Sequence, residues 1–201
     1  MKNFYLLLTT LIIAVGAYAQ NDRFYYPDAF YFVKEVKVEG LKERPYHFEL
    51  SVKENPADTF SKPRIYVVQV RKGKEDIIGR SLVYATVTPG KDKDWKTYSI
   101  DGIVENDATR IWLYMAVNGN GEFYFDNLQC SIADVNGTLQ EKDLSNYSFE
   151  EKKLLAGYYV SDKPGKNLSI QASPVANEGK HSLLVATSAQ KPGSSRIIAK
   201  N

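Results

Sequence analysis

Trp112 and Tyr114 alternate with Ile111, Leu113, Met115 and Val117. On a β-strand this spacing puts the two rings on one face and the aliphatic side chains on the other. Flat rings in such a position can hold sugars, whose axial C–H faces are apolar while their hydroxyls hydrogen-bond at the rim. Tyr66, on a neighbouring β-branched run, belongs to the same candidate face. The competing reading buries the rings beneath a loop or the C-terminal strands, which makes them packing residues. Trp95, at the start of another run, reads as a plug at the edge of the fold.

Catalytic chemistry finds little support. His47 and His181 are the only histidines, one on a polar strand face and one in a turn, and no H-E-x-x-H helix motif accompanies them. No G-x-S-x-G elbow presents a nucleophilic serine. Gly119-Asn120-Gly121 leads into a strand, so no helix N-terminus follows it to bind a phosphate. Paired acids for glycoside hydrolysis can come from any two strands and leave no sequence signature. The sequence therefore reads as non-enzymatic.

The elements that must position these residues are strands. Runs of alternating or β-branched character cover residues 30–38, 46–52, 64–70, 81–87, 95–103, 110–117 and 122–132. Turn clusters separate them every eight to a dozen residues or so, the spacing of an antiparallel sandwich. No segment offers a long amphipathic helical period. Asn118-Gly119-Asn120-Gly121 supplies the positive-φ residues of a tight turn, so residues 110–117 and 122–132 are expected to pair as a hairpin. Further short runs cover 167–172 and 182–187, beyond a boundary near residues 134–143.

The first nineteen residues read as a secretory signal: Lys2, an apolar run, and Ala17-Tyr18-Ala19 as the cleavage site. The run is too short to span a membrane, and no Cys follows the site to take a lipid. Its removal takes one of 26 basic residues against 24 acidic ones, leaving a net charge of +1. Such a chain has no overall electrostatic drive towards nucleic acid or anionic lipid. Cys130 is the only cysteine, so no internal disulfide forms, and its phase with Leu128 and Ile132, and with Phe123 and Phe125 before the Asp126-Asn127 step, makes it a small buried hydrophobe. The expected location is outside the cytoplasm: periplasm, cell surface or medium.

Trp95-Lys96-Thr97-Tyr98, Ala108-Thr109-Arg110-Ile111, Gly119-Asn120-Gly121 and Phe125-Asp126-Asn127-Leu128 occur in an order that resembles the last strands of galactose-binding-like jelly rolls. That superfamily includes carbohydrate-binding modules and the accessory N-terminal sandwiches of exported tail-specific serine proteases. The resemblance covers about forty residues. Asn146-Tyr147-Ser148-Phe149-Glu150 and Glu178-Gly179-Lys180-His181-Ser182-Leu183 look like the opening of the same fold. Residues 141–201 then either complete a sandwich formed by 20–140 or begin a truncated second one.

The resemblance implies an all-β antiparallel sandwich of jelly-roll type, and a structural calcium held by Asp126 and Glu150. A hard cation of that kind needs several oxygen ligands; the competing reading has Asp126 accepting backbone hydrogen bonds at a strand end. The function expected is a secreted, non-catalytic carbohydrate-binding module using Trp112, Tyr114 and Tyr66. The alternative is a protein-interaction domain serving an exported peptidase or other hydrolase. Partners are accordingly a carbohydrate or an exported protein, without nucleic acid or a membrane span.

Overall fold

The computed structural model describes residues 30–71, 82–161 and 167–188. The secretory signal read at 1–19, Ser81 and the polar end of the chain from 189 onwards lie outside them. The described residues form an all-β fold of two antiparallel sheets.

In the first sheet, β1 (Phe30–Lys37), β7 (Ala108–Asn118) and β3 (Lys62–Arg71) lie side by side. The short β10 (Tyr158–Val160) and β4 (Val83–Tyr84) form its edges. In the second, β8 (Gly121–Ala133), β2 (Pro45–Pro56) and β6 (Trp95–Ile103) are central. β11 (Leu168–Ser173) and β12 (Ser182–Thr187) extend this sheet on one side and β5 (Thr86–Pro89) on the other, while β9 (Leu139–Glu141) pairs with β8.

Period-two alternation explains which face each strand buries. Phe32 and Val36 of β1, Ile65 and Val67 of β3, and Ile111, Leu113, Met115 and Val117 of β7 all point between the sheets. Tyr46, Phe48, Leu50 and Val52 of β2 meet them from the second sheet, with Ile100, Phe123, Phe125, Leu183 and Val185. Cys130 is fully buried in this core as a free thiol, and burial pushes its pKa up to about 12. Trp95 is buried as well.

The phase of β8 changes midway. Phe123 and Phe125 face the core, and then Leu128, Cys130 and Ile132 do. Opposite β2, Glu49 pairs with Gln129 but Ser51 with Asp126, so β8 carries one extra residue. Asn127 absorbs it with a left-handed φ of 51°, a conformation that Asn tolerates better than most residues.

Two sequence expectations are corrected. Residues 110–117 and 122–132 do not form a hairpin: β7 pairs with β1 and β3, whereas β8 pairs with β2, β12 and β9. Both strands face the same core from opposite sheets, so Asn118–Gly121 is a corner between layers. There the chain runs against its neighbours: Asn120 N–H donates to Ser61 Oγ at 2.7 Å, and Ala57 N–H to the Asn120 carbonyl at 2.9 Å. The run 81–87 is likewise two short strands, β4 in the first sheet and β5 in the second.

The residues after 140 contribute to both sheets. β10 pairs with β1, and β12 pairs with β8, aligning Leu183 with Phe125 and Val185 with Phe123. The connecting loop is fastened from inside by Lys34, buried on β1. Its ammonium donates to the Ser145 carbonyl at 2.5 Å and to Ser145 Oγ at 3.0 Å, and lies 4.3 Å from the centre of the Tyr158 ring. Burial lowers the Lys34 pKa, partly offset by Glu151. Among the described residues, no helix is long and apolar enough to cross a membrane.

Candidate functional site: the outer face of the five-stranded sheet

Because Ile111, Leu113 and Met115 turn inward, Trp112 and Tyr114 stand on the outer face of the first sheet. Tyr66 joins them from β3, aligned directly with Tyr114. The register extends the row in both directions. Tyr84 of β4 aligns with Tyr66, Val33 of β1 with Tyr114, and Tyr159 of β10 with Val33. One line perpendicular to the strands therefore reads Tyr159, Val33, Tyr114, Tyr66, Tyr84. Four interstrand steps span about 19 Å. Tyr31 lies one row away with Ala116 and Arg64, and on the other side Trp112 sits between Glu35 and Val68.

The rings pack against one another. Tyr66 and Tyr114 stack with centroids 4.9 Å apart and planes 5° from parallel. That separation is too short for two phenol rings to lie side by side in one plane, so they stand off the sheet face to face, in the offset-stacked arrangement aromatic pairs favour. Tyr31 flanks Tyr114 at 5.6 Å and 51°, and Tyr84 flanks Tyr66 at 5.5 Å and 54°. The result is a four-ring array whose inner members spend their faces on each other. The terminal rings are the more open members of the array: Tyr31 and Tyr84 are 40% and 50% exposed, whereas Tyr66 and Tyr114 are half-buried. Tyr159, at 60%, stands apart on the edge strand.

Trp112 is committed differently. Its indole N–H donates to Glu35 Oε2 at 2.9 Å, and the Arg110 guanidinium lies 5.6 Å from its ring centre. Arg110 also approaches Glu35 at 3.5 Å. The indole is half-buried and oriented by both neighbours, so it supports the face more than it offers a free ring.

Burial, followed by the neighbouring tyrosines, pushes the Tyr66 pKa up to about 12, and burial raises that of Tyr114. Both phenols are therefore protonated at neutral pH and can donate as well as accept hydrogen bonds. Arg64 is exposed beside the row; it donates to the Tyr84 hydroxyl at 2.9 Å, and its guanidinium lies 5.6 Å from that ring's centre.

Tyr31, Tyr84, Tyr159 and Arg64 were not singled out by the sequence. Tyr31 between Phe30 and Phe32 carried a weak signal, as the aromatic with a polar tip in an apolar run. The others become neighbours only through pairing between strands distant in sequence.

Asp126 and Glu150 converge elsewhere, on the turn between β11 and β12. Asp126 Oδ2 accepts the N–H groups of Asn177 at 2.8 Å and Glu178 at 3.1 Å, while Oδ1 accepts that of Asn127 at 2.8 Å. Glu150 Oε1 accepts the N–H groups of Lys180 at 2.5 Å and His181 at 2.8 Å, and Oε2 lies 3.0 Å from His181 Nδ1. Burial pushes the Asp126 carboxyl above its usual range, against three amide bonds pulling the other way. The amides of His181 and Lys180 hold Glu150 below its own. Amide donors aimed at every carboxylate oxygen but one, with His181 beside that one, would repel a cation. Among the described residues no group of three His, Cys, Asp or Glu side chains could hold a metal. As arranged, the pair does not fit a calcium ion.

The two histidines lie apart from this face. His47 sits on β2 with Nδ1 2.8 Å from Asp101 Oδ1 and Nε2 3.7 Å from Glu49 Oε2, and His181 is beside Glu150.

Face and fold together define an all-β antiparallel sandwich with a tyrosine-rich outer sheet. No protein-family model, curated protein or solved structure matches the chain.

Proposed function

We propose that the protein is an exported, non-catalytic binding domain of the galactose-binding-like jelly-roll kind, and that it takes carbohydrate on the outer face of its five-stranded sheet. Its C-terminal strands complete a single sandwich in this reading. One observation carries it: Tyr159, Tyr114, Tyr66 and Tyr84 share one register row across the sheet, with Tyr31 and Trp112 beside them. Aromatic residues gathered on an outer face are not needed for the core, and amphipathic rings suit a ligand with apolar patches and many hydroxyls. Sugar rings would pack on the terminal rings, Tyr31 and Tyr84. The phenols of Tyr66 and Tyr114 would serve sugar hydroxyls.

The division of labour among the rings gives the test. Tyr84→Ala and Tyr31→Ala are expected to lower retention on a panel of immobilised polysaccharides while moving the melting temperature by no more than a few degrees. Trp112→Ala is expected to destabilise the fold, since it removes a half-buried ring and its bond to Glu35. Unchanged retention in both tyrosine variants would remove this reading.

A second reading, docking of an exported peptidase or other hydrolase, is favoured by the edge-on stack itself. Tyr, Trp and Arg are the side chains enriched at protein interface hot spots, and rings standing on edge project hydroxyls for a partner's backbone. It would bury roughly 800 Å² on each side, and the same tyrosine variants would then abolish co-purification with the hydrolase and leave polysaccharide retention untouched.

A further inference from the structure

We infer that the ligand of this face is an acidic, carboxylated polysaccharide, and that Arg64 is the group that holds its sugar carboxylates; this rests on the carbohydrate reading above. Strand alternation places Lys37, Lys62, Arg64, Arg110 and Glu35 on the outer side of β1, β3 and β7, four cations to one anion. The whole chain is nearly balanced, 26 basic to 24 acidic residues. The imbalance is therefore a property of this face.

The cations are not equivalent. Arg110 is spent on Glu35 and Trp112. Arg64 has no carboxylate partner among the described residues: its guanidinium donates to the Tyr84 hydroxyl, which leaves donors of a five-donor fork unused. The contact fixes the guanidinium beside the exposed terminal ring of the array. A planar guanidinium held in place is suited to a carboxylate, which it can grip with two parallel hydrogen bonds.

Ring geometry points the same way. Tyr66 and Tyr114 are stacked on each other and flanked at a tilt by Tyr84 and Tyr31, so a neutral glycan that binds by stacking finds less open ring area along the middle of the row. A polymer bearing hydroxyls and a repeating carboxylate meets phenol groups and a guanidinium instead. The same geometry disfavours single-stranded nucleic acid, whose bases need open ring faces to stack on.

The experiment uses polygalacturonate and its fully methyl-esterified form, which share a backbone and differ in charge, titrated into the intact protein at low and high salt. The expected result is binding of the acid form that weakens with salt, and at least about tenfold weaker binding of the ester. Arg64→Gln should reduce affinity for the acid form by about tenfold and leave the melting temperature unchanged; Arg64→Lys should restore only part of it, because an ammonium keeps the charge without the fork.

Equal binding of acid and ester, unaffected by Arg64→Gln but lost in Tyr84→Ala, would overturn this inference and leave the carbohydrate reading standing. Binding of neither form overturns the inference, and the carbohydrate reading falls with it only if the immobilised panel also fails to retain the protein. Tighter binding of an oligothymidylate than of polygalacturonate would overturn it as well.

Discussion

Asp126 and Glu150 hold one stretch of backbone between them: Asp126 takes the amides of residues 177 and 178, and Glu150 those of 180 and 181. Their effects on stability run in opposite senses with pH. Glu150 is favoured as a carboxylate in the folded state, so its contribution is fully present above the ordinary glutamate range. It is lost as pH falls through its lowered folded value. Asp126 is raised by burial, so its folded state favours the proton and its contribution declines as pH rises. The two separate experimentally because Lys180 and His181 amides touch only Glu150. On acidification those two amide resonances are expected to shift together below the ordinary glutamate range, and Glu150→Gln should remove the transition. A midpoint at or above that range would contradict the clamp. The two residue types were legible in sequence as a pair of carboxylates. Their role was not, because whether a carboxylate faces a cation or amide groups is decided by a turn fifty residues downstream of Asp126 and thirty of Glu150.

At the scale of elements, the corner at Asn118–Gly121 shows where sequence pattern and pairing part company. Two alternating runs around an Asn-Gly-Asn-Gly turn satisfy every local requirement of a hairpin. They satisfy those of a layer-crossing corner equally well, since local alternation fixes which face is buried and says nothing about which strand lies beside it. The partners lie elsewhere in the chain: β7 fits between β1 and β3, and β8 between β2 and β12. Gly121 records the choice. With φ at 135°, a side chain there would put its Cβ 2.5 Å from the Asn55 carbonyl oxygen and 2.8 Å from Pro56 Cα, both backbone atoms. Gly121→Ala is therefore expected to cost about 2 kcal/mol or more in denaturant unfolding, from strained backbone and a collision that no rotamer relieves. A loss below 0.5 kcal/mol would show the corner to be looser than its contacts indicate. The phase change at Asp126-Asn127, by contrast, was readable in the spacing of Phe125 and Leu128, and the bulge accounts for it.

At the scale of the molecule, the outer face is assembled from residues 31, 64, 66, 84, 112, 114 and 159, which sit on five different strands. Only the alternating pair 112 and 114, with Tyr66 as a neighbour, could be picked out beforehand. The rest depends on register across strand pairs, and for Tyr159 on a three-residue strand that carries no periodic signal of its own. The same long-range pairing lets the C-terminal region serve both sheets, with Lys34 fastening the loop between them from the core side. A face so built can be watched directly. Titration of polygalacturonate into protein with isotope-labelled tyrosine rings should shift the signals of Tyr31 and Tyr84 most, those of Tyr66 and Tyr114 less, and leave Tyr46 and Tyr98 of the second sheet unmoved. Shifts confined to the second sheet, or none at saturating polysaccharide, would contradict the assignment of this face as the binding surface.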